Sequence, residues 1–179
     1  MTVFISGGCK NGKSTLAEKT AKTLAAGGPL YYVATMIPRD GEDRARIRRH
    51  VASRAGQGFT TLECGTQIEK CLLRADAGGT FLLDSVTALL ANEMFRPDGT
   101  VDRTAPERVA QELARFAAGV KNAVFVSDFI DSDAGSYDAL TEAYRRGLAT
   151  VDRTLARVCD TAAEVCIGCS IVYKGVMPQ

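Results

Sequence analysis

Short, uniformly apolar runs alternate along the chain with longer amphipathic or charged stretches. The apolar runs fall at residues 3–6, 30–35, 59–63, 80–84 and 123–128. Each has the length of a strand, and none shows the strict alternation of a half-exposed one, so they read as strands buried on both faces. Helical patterns fill the intervals at 14–26, 40–55, 66–75, 85–95, 105–120 and 137–158. Gly27-Gly28 closes the first helix, and Gly56 and Gly58 close the second. Pro97-Asp98-Gly99 supplies a turn. Residues 164–167 and 170–173 read as two closing strands that could form an antiparallel hairpin, and the Gly/Asp-rich stretch 129–136 reads as a mobile loop. Apolar strands alternating with helices predict an α/β fold with a mostly parallel sheet and helices on both faces.

The chain has 179 residues, enough for a single domain with a sizeable core. A formal net charge of +1 gives no broad basic field for nucleic acid or anionic membrane. No run approaches the ~18–20 apolar residues of a membrane span. Thr2-Val3-Phe4-Ile5 leads straight into Ser6-Gly7-Gly8 without a basic lead or a cleavage site, so a cytoplasmic protein is expected. There are six cysteines, and in that compartment they stay reduced. Cys166-Ile167-Gly168-Cys169 has the C-x-x-C form of a redox or zinc site. A second such pair is missing, so these cysteines read instead as small hydrophobes in a buried strand.

Specific chemistry enters at the first strand–helix junction. Gly7-Gly8-Cys9-Lys10-Asn11-Gly12-Lys13-Ser14 fits the P-loop pattern G-x-x-x-x-G-K-[ST]. Its glycines let successive N–H groups turn toward phosphate oxygens, and the helix that follows aims its positive end at the same anion. The motif assigns Lys13 to the β- and γ-phosphates and the Ser14 hydroxyl to Mg²⁺. A second metal partner is expected at the end of another apolar strand. Asp84 and Asp128 both qualify, either could merely cap a helix, and Asp84 is preferred. Cys9 is open to two readings, a thiol activated by the helix N-terminus or an inert one facing the sheet.

The single histidine lies in a charged helix. Arg46, His50 and Arg54 recur every fourth residue and share one face. They read either as a solvated basic stripe or as a triphosphate grip with an imidazole facing the α-phosphorus. In the second reading the neighbouring cations keep the imidazole neutral.

Together these residues resemble the bifunctional adenosylcobinamide kinase / adenosylcobinamide-phosphate guanylyltransferases of cobalamin biosynthesis. The likeness covers roughly the first half of the chain. It runs through the N-terminal P-loop, Tyr32-Val33-Ala34-Thr35, Asp40-Gly41-Glu42, Arg46-Ile47, His50, Arg54, Glu63, Leu82-Leu83-Asp84-Ser85-Val86-Thr87 and Asn92. The chain departs from the pattern in having Asp43 in place of Met and Phe59 in place of Trp. Asp128-Phe129-Ile130-Asp131 stands in place of Asn-Glu-Val-Gly, and no Gly-x-Gly follows.

The resemblance implies a RecA-like P-loop NTPase fold, a corrinoid substrate, ATP and GTP as co-substrates with Mg²⁺, and a homotrimer. It implies that His50 accepts GMP from GTP. It adds Thr35, Arg46, Arg54, Glu63 and Asp84 to the P-loop residues as nucleotide contacts. Two alternatives stay open on the residues alone: a P-loop kinase of another small molecule with an incidental His50, and a regulatory nucleotide switch.

Overall fold

The computed structural model describes residues 1–130 and 135–178, and for Arg46 and Ser53 the backbone only. One seven-stranded sheet organises the chain, in the order β3-β2-β4-β5-β1-β6-β7. The strands are β1 (Thr2–Gly7), β2 (Leu30–Ala34), β3 (Thr60–Glu63), β4 (Thr80–Asp84), β5 (Asn122–Asp128), β6 (Thr161–Cys166) and β7 (Cys169–Lys174). All pair in parallel except β7, which returns antiparallel along β6. The helices are α1 (Lys13–Ala25), α2 (Gly41–Arg54), α3 (Val86–Met94), α4 (Ala105–Gly119) and α5 (Ala139–Val158).

Alternate residues of each central strand feed two cores. Phe4, Phe81, Leu83 and Phe125 face α3, α4 and α5, while Val3, Ile5, Leu82, Val124 and Val126 face α1. Phe81 stacks on Tyr31 with ring centroids 4.8 Å apart and meets Phe116 edge-on at 5.4 Å. Burying a side chain of this size contributes ~1.5–3 kcal/mol. Gly147 lets α5 approach α4, because a Cβ there would stand 2.7 Å from Pro106 Cγ.

Two local expectations are corrected. Residues 66–75 form a 3-10 helix at Ile68–Arg74 instead of an α-helix, entered through Gln67 in the left-handed region. Cys166 and Cys169 are exposed, not buried. They pair across a hairpin turn whose two residues, Ile167 and Gly168, both have positive φ, as a tight hairpin turn requires. Among the described residues no group of three or more His, Cys, Asp or Glu side chains is arranged to hold a metal. Residues 131–134 of the loop expected to be mobile lie outside the described residues. No described helix is long and apolar enough to cross a membrane.

Candidate functional site

The C-terminal ends of parallel strands are where open α/β sheets bind ligands. Here that edge gathers Gly7 of β1, Thr35 after β2, Asp84 of β4 and Asp128 of β5. Gly7 is required by close approach, since a Cβ there would collide with the Val165 carbonyl oxygen. Gly12 caps α1 with φ 91°, and neither a side-chain cap nor an acidic residue occupies the first turn. The first N–H groups of α1 therefore point into an open cavity of about 210 Å³ lined by residues 10–15. Unpaired helix N–H groups with the macrodipole behind them favour an anion.

Lys13 is 6% exposed. Its ammonium donates to the Gly8 carbonyl oxygen at 2.6 Å and pairs with Asp128 Oδ1 at 3.0 Å. Ser14 Oγ lies 3.4 Å from Asp84 Oδ2, which also accepts from the Tyr32 hydroxyl at 2.9 Å. The strand-end carboxylates thus divide the loop between them, Asp84 on the hydroxyl and Asp128 on the ammonium. Tyr32 is the residue sequence reasoning passed over. Burial first, then the charge of Asp84, pushes its phenol well above the ordinary range, so it remains a proton donor.

Thr35 is fully buried. Its hydroxyl donates to the Ser85 carbonyl at 2.8 Å and accepts from Ser85 N–H at 2.7 Å, and its carbonyl accepts from Asn92 at 2.8 Å. This clamp fixes the chain just after Asp84. Glu63 ends β3 with its side chain exposed, and its carbonyl accepts from Arg74. Cys9 is exposed on the loop and does not face the sheet.

α2 begins at Asp40, whose carboxylate accepts from Asp43 N–H at 2.8 Å, while Asp43 reaches back to Arg39 N–H at 3.0 Å. Asp43, one of the departures from the family pattern, therefore serves a reciprocal helix cap. Among the described side chains of α2 only Arg54 is buried. Its guanidinium carbon lies 3.3 Å from the Tyr32 ring centroid, and its Nε and Nη1 have no hydrogen-bond partner. The stripe that carries His50 thus ends on the tyrosine that holds Asp84. His50 itself is half-buried, and the Arg46 side chain lies outside the described residues. Phe59, where the family has Trp, meets Tyr32 edge-on at 6.0 Å.

The FlaH flagellar accessory protein of Methanocaldococcus jannaschii superposes with a TM-score of 0.53 at 13% identity, covering 97% of this chain and 78% of that one. A KaiC-like protein of Pyrococcus horikoshii OT3 gives the same four figures. At such identities the likeness concerns the fold alone, a mostly parallel sheet between helices. The bifunctional adenosylcobalamin biosynthesis protein CobP of Pseudomonas aeruginosa is 35% identical over 98 residues, 55% of this chain and 56% of that protein. The match spans little more than half the length of that relative. Residues 3–173 match the family model described as cobinamide kinase / cobinamide phosphate guanyltransferase. The P-loop, the carboxylates at its rim and the histidine-bearing helix all fall within that match, and the chain belongs to the cobinamide kinase / cobinamide phosphate guanyltransferase family.

Proposed function

We propose that the protein is a kinase and nucleotidyltransferase that uses nucleoside triphosphates and acts on a corrinoid. It phosphorylates the terminal hydroxyl of adenosylcobinamide with ATP or GTP. It then carries GMP from GTP through a covalent GMP–histidine at His50 to the phosphorylated product, giving adenosylcobinamide-GDP. The observation that carries this reading is the family match over residues 3–173, which takes in the P-loop and α2 together.

In the first reaction Gly7, Gly8, Cys9, Lys10, Asn11 and Gly12 wrap the phosphates with backbone N–H groups, and Lys13 follows the charge that builds on the γ-phosphoryl group. Ser14 and Asp84, a hydroxyl and a carboxylate 3.4 Å apart, are hard oxygen donors of the kind Mg²⁺ takes, and the ion they hold would offset phosphate charge. In the second reaction an imidazole nitrogen of His50 attacks the α-phosphorus, the bond from that phosphorus to the α,β-bridging oxygen breaks, and pyrophosphate leaves. Arg46, Arg54 and Glu63 complete the nucleotide site. Thr35 contributes by holding Ser85 and Asn92. For Arg54 to reach a phosphate it must leave the Tyr32 ring.

Incubation with GTP labelled in the α-phosphate, without cobinamide, tests this reading. A labelled protein band is expected. A wild type that phosphorylates cobinamide and never labels would reduce the protein to a kinase alone. Cys9 offers a second check on the nucleotide site. It is exposed in the loop ahead of α1, and a bound triphosphate would cover it. Alkylation by iodoacetamide should slow several-fold when Mg²⁺-nucleotide is added, and equal rates would count against phosphate seating at this loop.

A further inference from the structure

Lys13 is already satisfied before any phosphate arrives. Its ammonium sits 3.0 Å from Asp128 Oδ1, and the backbone that carries this carboxylate is fixed on both sides. Asp128 ends β5 in register with Gly7 of the loop. Its N–H donates to Thr87 Oγ1 at 2.9 Å, and the next residue's N–H donates to the Gly7 carbonyl at 3.0 Å. Thr87 is held in turn by Tyr144, whose hydroxyl donates to its carbonyl at 2.9 Å. The Asp128 side chain is 39% exposed against 7% for Lys13, so the pair has one wet and one dry member.

We propose that Asp128 is an internal competitor for the nucleotide and sets how tightly the P-loop binds it; the proposal rests on the nucleotide-binding reading of that loop. The carboxylate occupies on Lys13 the position that a phosphate oxygen takes in a loaded P-loop. Seating a triphosphate must break this pair and then leaves a negative carboxylate beside a polyanion. Both effects act against binding, because opposite charges are separated and like charges are brought together in a partly desolvated place. Asparagine in this place would offer the same shape, and its side-chain oxygen could still accept a hydrogen bond, but it would carry no charge. Asp84 does not share this part, since its bonds go to Ser14 and Tyr32 instead of the ammonium.

The test uses the full-length protein with three ligands: Mg²⁺-ATP, Mg²⁺-GTP and inorganic tripolyphosphate. Tripolyphosphate carries the charge without base or ribose, so it isolates the contest for Lys13. Asp128→Asn should bind all three on the order of tenfold more tightly than wild type. Asp128→Glu keeps the competing charge and should bind near wild-type strength. A merely structural role would not give tightening with Asn together with reversal with Glu. Unchanged or weaker tripolyphosphate binding by Asp128→Asn overturns the proposal, and so does equal tightening by Asp128→Glu. If neither wild type nor Asp128→Asn binds nucleotide or tripolyphosphate, the nucleotide reading of the loop falls, and Asp128 falls with it. If wild type binds and Asp128→Asn binds no better, Asp128 alone is reassigned.

Discussion

Lys13→Ala is expected to lower cobinamide phosphorylation by roughly 10²- to 10⁴-fold while the protein stays folded. The ammonium is buried in the wall of the loop and paired there with Asp128. Removing it takes one charge-assisted contact from a transition state that spreads negative charge over the γ-phosphoryl oxygens, a loss of ~3–5 kcal/mol. The fold should tolerate the change. The Lys13 ammonium bonds to the Gly8 carbonyl and to Asp128, and Asp128 is open enough to be hydrated by itself. Steady-state turnover with either nucleotide, measured beside a thermal melt, separates the two effects. Near-wild-type turnover would remove Lys13 from the chemistry, and a collapsed melt would mean that the lysine has a structural part.

His50→Ala should abolish labelling by GTP and leave most of the kinase activity. The two reactions need different phosphorus atoms of the nucleotide. Transfer of the γ-phosphoryl group calls on Lys13, Ser14 and Mg²⁺ and has no use for an imidazole. In the proposed transfer an imidazole nitrogen attacks the α-phosphorus, and His50 is the sole histidine of the chain. The adduct should be labile in acid and stable in base, as a phosphorus–nitrogen bond is and a serine or threonine ester is not. A His50→Ala protein that still acquires acid-labile GMP would refute the assignment.

What could be read from the sequence was what local chemistry decides. The P-loop is contiguous, and its place between strand and helix follows from the motif itself. Strand β4 was legible to the residue because Thr80–Asp84 is bounded by glycines before and a cap residue, Ser85, after. The start of β6 was not. Ala162-Ala163 has little strand propensity and is extended because it pairs with Phe4 and Ile5 of β1. The 3-10 segment likewise takes its start from a distant group, as the Gln67 N–H donates to Glu93 Oε1. In the site, Asp84 could be found from its strand-end position. Tyr32 could not, because an apolar strand gives no sign that one phenol will meet a carboxylate across the sheet. The pairing of Lys13 with Asp128 is of the same kind.

The thin anchorage of α2 means that the molecule has two stability scales. Exposing the sheet costs the global unfolding free energy, ~5–15 kcal/mol for a domain of ordinary stability. Lifting α2 uncovers little, since among its described side chains only Arg54, over the Tyr32 ring, is buried. Such a cation–π contact is worth ~0.5–2 kcal/mol. Local opening of this helix is therefore a low-energy excursion of the native state, separate from unfolding of the core. Its backbone amides should exchange with deuterium orders of magnitude sooner than those of β5, and the proposed GMP transfer would draw on that excursion without weakening the sheet that carries the P-loop.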